Sequence, residues 1–305
     1  MKKALFTVFL FFMILKVLGQ INPDNSSVQV IGYWDKKEKK RYVLTNEQLK
    51  IQDTDTLSRN FHKYAVDITI VDSTENSYTI NWFYHDYEVQ SDDEIFKLLA
   101  SIAEGLTVIV ITDELGTFKE IKNWQEVRDY ILKGTKLIKQ QKKEIPNIDN
   151  IISQVENMYS TRESIETAVM HEIQQFYTFH GSVYKLGEVI DVEMKVTNGY
   201  GGEPFDANVS VWLDEINPAD NNFVIRMIQV VNQEQLTKAA FDYFTKFAKT
   251  TGAKPPVLKD IPPMKNELRV AARIHGSGWI IYSVQTKEVS GEGRTNITET
   301  VIEMQ

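Results

Sequence analysis

The sequence predicts an α+β fold, a curved antiparallel β-sheet covered by helices on one face. Three observations carry this expectation. Runs such as 64–71 and 188–196 alternate apolar with polar residues, which gives a strand one buried and one wet face. Short segments rich in Asp, Asn, Ser and Gly join such runs, as hairpins require. Segments of helical periodicity intervene, each with an apolar stripe that must be buried, and the dry side of a sheet is available to bury it. With 305 residues, 42% apolar and 25% charged, the chain has the composition of an ordinary folded protein with a sizeable core.

The first residues read as an address. Lys2 and Lys3 precede an apolar run over 4–15, and Val17 and Gly19 supply the small residues of a cleavage site. This is the layout of a secretory signal peptide over 1–19, cut after Gly19. Lys16 ends the run before the ~20 apolar residues that a membrane-spanning helix needs. No later stretch is long and uncharged enough to span. Residues 20–27, with Asn22, Pro23, Asp24, Asn25, Ser26 and Ser27, read as a flexible leader. Residues 28–305 read as a single α+β domain.

Within that domain, Val66, Ile68 and Ile70 share one strand face opposite Asp67 and Thr69. A turn over 72–76 leads to a second strand, in which Tyr78, Ile80, Trp82 and Tyr84 alternate with polar residues. Asp92 or Asp93 caps a helix carrying Ile95, Leu98, Leu99 and Ile102, which Gly105 ends. Asn123 with Glu126 has the spacing of a capping box before Val127, Tyr130, Ile131 and Ile138. Pro146 separates this helix from Ile151, Ile152, Val155 and Tyr159. Ser160 with Glu163 repeats the box before Ile165, Val169, Ile173, Phe176 and Tyr177. In the strand 188–196, Ile190, Val192, Met194 and Val196 form a core face opposite Asp191, Glu193 and Lys195. A glycine-rich connection follows over 198–202. Asn232 and Gln235 open a helix with Leu236, Ala240, Tyr243, Phe244 and Phe247 on one stripe. A hairpin closes the chain, with strands 279–289 and 295–302 and a turn over 290–293.

The order strand, strand, helix, strand, strand occurs twice, over 64–122 and 207–289. An Asp-led turn joins the first two strands each time, Asp72-Ser73-Thr74 and Asp214-Glu215-Ile216. This suggests internal duplication of a β-β-α-β-β unit, with halves 28–122 and 180–305 and the helical region 123–179 between them as a packed insertion or lid. Hairpin-then-helix order also recurs in α+β proteins that have no internal repeat.

Chemistry is sparse. There are no cysteines, which removes disulfides, thiolate ligands, thiol nucleophiles and covalent haem attachment. Net charge is −8, or −11 without the lysines of the signal, so nucleic acid is not an expected partner. His171-Glu172-Ile173-Gln174-Gln175 fails the helical zinc pattern H-E-x-x-H, because Gln175 stands where the second ligand belongs. His85 and Asp86 are consecutive in a strand, which would send them to opposite faces. His62, His180 and His275 have no partner at ligand spacing. Gly199-Tyr200-Gly201-Gly202 leads into a strand, not into the helix N-terminus that would hold a phosphate. His275-Gly276-Ser277-Gly278 is not a nucleophile elbow. Asp53 with Asp55, and Asp214, Asn217, Asp220 and Asn221, are incomplete calcium patterns. Trp82, Phe83, Tyr84, Trp124, Trp212 and Trp279 suit core positions better than a ligand groove. No catalytic, cofactor-binding or metal residue is therefore assigned, and no cofactor is expected.

Asp113-Glu114-Leu115-Gly116-Thr117-Phe118, then Asn123-Trp124, and later Asn198-Gly199-Tyr200-Gly201-Gly202-Glu203-Pro204 give the chain a resemblance. It resembles uncharacterised secreted β-rich proteins of Bacteroidetes-type Gram-negative bacteria. The resemblance covers most of the chain after residue 19 and implies a periplasmic or cell-surface location. Its motifs are turns, so it implies no reaction and transfers no functional residue. Two function classes follow. One is a non-enzymatic module that binds an envelope protein or an apolar ligand. The other is a carboxylate-dependent hydrolase of envelope carbohydrate or peptide, which needs two convergent carboxylates, one with a perturbed pKa.

Overall fold

A computed structural model describes residues 20–168 and 171–305; the expected signal at 1–19, with its cleavage site, and Val169 lie outside them. Two strands open the chain, β1 (Ile21–Asn22) and β2 (Ser27–Gln29). Three long strands follow, β3 (Lys39–Gln52), β4 (Asp55–Thr74) and β5 (Ser77–Gln90). After α1 (Glu94–Ala100) and one 3₁₀ turn come β6 (Thr107–Asp113) and β7 (Phe118–Ile121). Among the described residues four helices occupy the middle: α2 (Trp124–Gln141), α3 (Ile148–Met158), α4 (Arg162–Ala168) and α5 (His171–Tyr177). The C-terminal half holds β8 (Val183–Lys185), β9 (Val189–Val196), β10 (Phe205–Asn217), β11 (Asn222–Val231) and α6 (Gln233–Thr251). A second 3₁₀ turn precedes β12 (Lys265–His275), β13 (Ile280–Gly291) and β14 (Arg294–Met304).

Eleven strands form one antiparallel sheet in the order β7-β6-β5-β4-β3-β14-β13-β12-β11-β10-β9. Every neighbour in it is also a neighbour in the chain, except that β14 pairs with β3 and so joins the N-terminal strands to the C-terminal ones. Strands β1, β2 and β8 form a small second sheet. The large sheet is not closed: β7 and β9 are its edges.

Hydrogen bonds at one end show that the sheet curves. In a flat sheet β6 and β12 would lie about 29 Å apart, six strand spacings. Here one segment touches the ends of both. Gly32 N–H donates to Leu115 O (3.0 Å) and Tyr33 N–H donates to Ser277 O (3.1 Å). His180 donates from Nε2 to Gly278 O at 2.8 Å, and the His180 carbonyl lies 3.5 Å from Thr117 Oγ1. The concave face therefore encloses one core, in which Trp82 and Ile80 of β5 join Phe223 and Ile225 of β11. Its filling is α5: Ile173, Phe176 and Tyr177 are buried, with the Phe176 ring edge-on to Tyr42 and Trp82. Each large side chain removed from water here contributes roughly 1.5–3 kcal/mol. No helix among the described residues is long and apolar enough to cross a membrane.

Several expectations hold. Asp93 caps α1 by accepting from Ile95 N–H and Phe96 N–H, and Asn232 caps α6 by accepting from Gln235 N–H at 3.0 Å. The closing hairpin turns at Glu292-Gly293, both with positive φ. Others are corrected. Residues 20–27 are not a loose leader: β1 and β2 pair, and Gln20 is buried with its amide on Ile31 O. Asn123 does not cap α2, because its Oδ1 accepts from Ile109 N–H (2.8 Å) and locks the helix to β6. The second box belongs to Thr161, whose Oγ1 accepts from Ser164 N–H, and not to Ser160. Asp214-Glu215-Ile216 is a bulge inside β10; the turn comes after Asn217. The alternating face of β9 is not core at Ile190, Val192 and Met194, which are 41%, 51% and 44% exposed on the edge strand of the sheet. In strand β3 the inward positions turn from apolar to polar halfway along.

Candidate functional site

That change of polarity defines a trough. Residues paired across strands project to the same side. Leu44 lies opposite Tyr64 and Ile302, all three buried under α5. Two residues further along β3 the row is polar, with Asn46 opposite His62 and Thr300. Gln48 then lies opposite Asn60 and Thr298, and Lys50 opposite Ser58 and Asn296. On β13 the same side runs Ser283, Gln285, Lys287 and Val289. Gln175 of α5 marks the boundary. Its Nε2 donates to Ser283 Oγ (3.0 Å) and to Thr300 O (3.2 Å), which satisfies polar groups where the apolar core ends.

Two helices stand over this concave side. In α1, Phe96 meets the His62 ring at 5.7 Å. In α6, Leu236 packs with Phe205, Ala207 and Val231. The apolar stripe of α6 then outruns the sheet, leaving Tyr243, Phe244 and Phe247 47%, 45% and 55% exposed. The chain reverses at Gly252, whose left-handed φ of 72° suits glycine, and residues 253–264 return alongside the helix. Met264 N–H donates to Thr237 Oγ1 at 3.0 Å and fixes that return. Between α6, this segment and the β13–β14 turn lies a groove of about 670 Å³. Phe244, Phe247, Pro255, Val257, Ile261 and Val289 line it, with Lys254, Glu292, Arg294 and Asn296 among its polar groups. A second groove of about 840 Å³ lies on the other side of α6, against residues 198–205. It is lined by Tyr200, Phe205 and Tyr243 among several charged residues.

A separate cluster surrounds Glu172. Its carboxylate accepts from Tyr84 Oη at 3.3 Å, and Tyr64 is a second hydroxyl partner. Tyr64 stacks on Tyr87 at 4.6 Å, and Tyr87 and Tyr159 both feel the Glu172 charge. Burial pushes the Glu172 carboxyl up to about 7. Its hydrogen-bonding partners are phenols and not a second carboxylate, so the acid pair that a glycosidase requires is not built here.

The remaining sequence candidates fall in structural places. His85 and Asp86 do meet, at 2.8 Å, because Asp86 takes a left-handed φ of 58° beside a bulge. They join a charged cluster in which Arg41 and Lys39 hold Asp67 well below the usual carboxylate range. His180 is buried among Trp34, Phe176 and Tyr177, and burial pushes its pKa down to about 4. His275 accepts from the Ser277 N–H in its own turn. His171 opens α5 at the surface, where partial desolvation of its ring and then the Lys287 charge lower its pKa. Asn217 donates to Asp220 in the β10–β11 turn at 2.7 Å. Among the described residues no three His, Asp or Glu side chains converge as a metal site. Trp82, Tyr84 and Trp279 are core, whereas Phe83 is 37% exposed. The groove was missed in the sequence because its aromatic stripe on α6 looks like any core-facing stripe. Lys-Pro-Pro at 254–256, a segment unable to pack as helix or strand, was the available signal. No protein-family model matches the chain, and comparison with curated proteins finds no match.

Proposed function

We propose that this protein is an exported, non-enzymatic binding module of the bacterial envelope, and that it holds an apolar ligand in the groove beside α6. The observation that carries this reading is the exposed stripe of Phe244 and Phe247 facing Pro255, Val257 and Ile261 across about 670 Å³. That volume lies within the usual range for small-molecule sites, and half-exposed aromatic walls gain most when an alkyl chain displaces their water. The core itself is filled by α5, which supports a groove at the surface and not an enclosed cavity. The hydrolase reading lacks a paired carboxylate at Glu172, the one acid among the described residues whose pKa is raised.

The test is calorimetric titration with 1-decanol, a neutral apolar probe. Saturable binding with one site is expected, weakened about five- to tenfold by Phe247→Ser. Absence of decanol binding, or binding indifferent to Phe247→Ser and Phe244→Ser, rejects the groove.

The duplication of a β-β-α-β-β unit belongs to the same proposal. It is supported by the equivalent placement of α1 and α6, each inserted between two strands of its half and each over the concave side. Profiles built separately on 28–122 and 180–305 should align β5-α1-β6 with β11-α6-β12; failure to align rejects a common origin.

A further inference from the structure

The trough that runs into the α6 groove is unusual for its charge. Inward positions 46, 48 and 50 of β3, 58, 60 and 62 of β4, 285, 287 and 289 of β13, and 296, 298 and 300 of β14 hold no carboxylate. They hold amides, hydroxyls, one histidine, one valine and two lysines. The outward positions of the same strands carry Glu47, Glu288 and Glu299. In a chain with 42 acidic residues and a net charge of −8, this distribution sorts charge by face. Lys50 and Lys287 both lack an ion pair among the described residues, whereas Lys39, Lys265 and Arg269 have partners.

These lysines border the groove. Asn296 lines it and is the register partner of Lys50; Val289 lines it and is two residues from Lys287 on the same side of β13. Lys254 and Arg294 line the groove directly, against a single lining carboxylate among the described residues, Glu292. The apolar wall and the cationic floor are thus adjacent parts of one concavity.

We infer that the groove selects an anionic amphiphile, its alkyl chain against Phe244 and Phe247 and its carboxylate or phosphate head on the floor with Lys50 and Lys287. This rests on the apolar-ligand reading above and adds the headgroup. An unpaired ammonium beside a partly desolvated anion gains attraction that an alcohol cannot, and exposed charges screen with salt while hydrophobic contact does not.

The experiment compares decanoate, decyl phosphate and 1-decanol by calorimetry on the same protein at low and high ionic strength. At low salt the tighter anionic probe is expected to bind about tenfold more tightly than decanol, with the advantage shrinking severalfold in 0.5 M salt; its identity tells carboxylate from phosphate. The double variant Lys50→Gln/Lys287→Gln should remove most of that advantage and leave decanol binding unchanged, with an unaltered melting curve showing that the fold is intact. Equal binding of all three probes, or an anion preference that survives the double variant, overturns the inference and leaves the groove standing. If no probe binds at all, the apolar-ligand reading itself has failed.

Discussion

Glu172, half-buried, and His180, buried, are titratable groups whose effects on stability run in opposite directions. Burial raises the Glu172 carboxyl from 4.5 to about 7, so between those values the folded chain holds a proton that the unfolded chain has released. Stability therefore falls as pH rises from about 4.5 to 7 and stays at the lower level above. Glu172→Gln removes this cost while keeping an acceptor for Tyr84. Denaturant melts at pH 8 should show the variant more stable by about 1 kcal/mol, a figure discounted for partial exposure, with no gain at pH 4. His180 is depressed from 6.5 to about 4, so its contribution is complete above 6.5 and lost as pH falls toward 4. Glu172→Gln should accordingly lose stability steadily on acidification from pH 7, whereas the unaltered chain shows a flatter profile. A variant with the same pH profile as the parent would show that Glu172 is already ionised without cost.

At the scale of elements, the connections that close the curve matter more than the strand edges. Gly278 has φ of +84°, and a Cβ there would run into the Ile31 carbonyl oxygen, so Gly278→Ala meets both backbone strain and a steric clash. The expected cost is about 2 kcal/mol or more, read as a lower denaturation midpoint. By contrast, Val192→Thr on the uncovered face of β9 should change stability by no more than about 0.5 kcal/mol. Sequence alternation alone would give Val192 the standing of a core residue, and a loss of more than about 2 kcal/mol would mean that something covers β9. Asn232→Ala removes the cap of α6 and should cost about 1 kcal/mol, leaving the concave core intact because only Leu236, Ala240 and Ala248 of that helix are buried.

For the whole molecule, the helical region 123–179 behaves as two parts. Helices α2 and α3 form a side cluster with Ile138, Ile148 and Ile152, whereas α5 fills the main core through Ile173, Phe176 and Tyr177. Replacing 123–179 with a short linker should therefore leave no cooperative unfolding transition, while a cut in the α2–α3 loop near Pro146 should be tolerated; a cooperative melt after the deletion would show that α5 is dispensable. Export belongs to this scale too. The apolar run over 4–15 behind Lys2 and Lys3 predicts an envelope-extracted chain that starts at Gln20, and intact mass decides it; a retained Met1 would replace the signal with an anchor.

The sequence by itself determined the class of fold, the hairpins 64–84 and 279–302, a cap at Asp92 or Asp93, the Asn232 cap, and the absence of cysteine chemistry. These depend on periodicity, turn residues and composition, all of which act over a few neighbouring positions. It did not determine which apolar faces are covered. Ile190, Val192 and Met194 alternate as cleanly as Val66, Ile68 and Ile70, yet only the second set is buried, because β4 lies near the middle of its half and β9 at an edge. The closeness of His85 to Asp86, the adjacency of Lys50 to Asn296 and the junction of β3 with β14 likewise required the folded chain. Each depends on a local backbone reversal or on a pairing between opposite ends of the chain, and side-chain pattern along the chain carries no information about either.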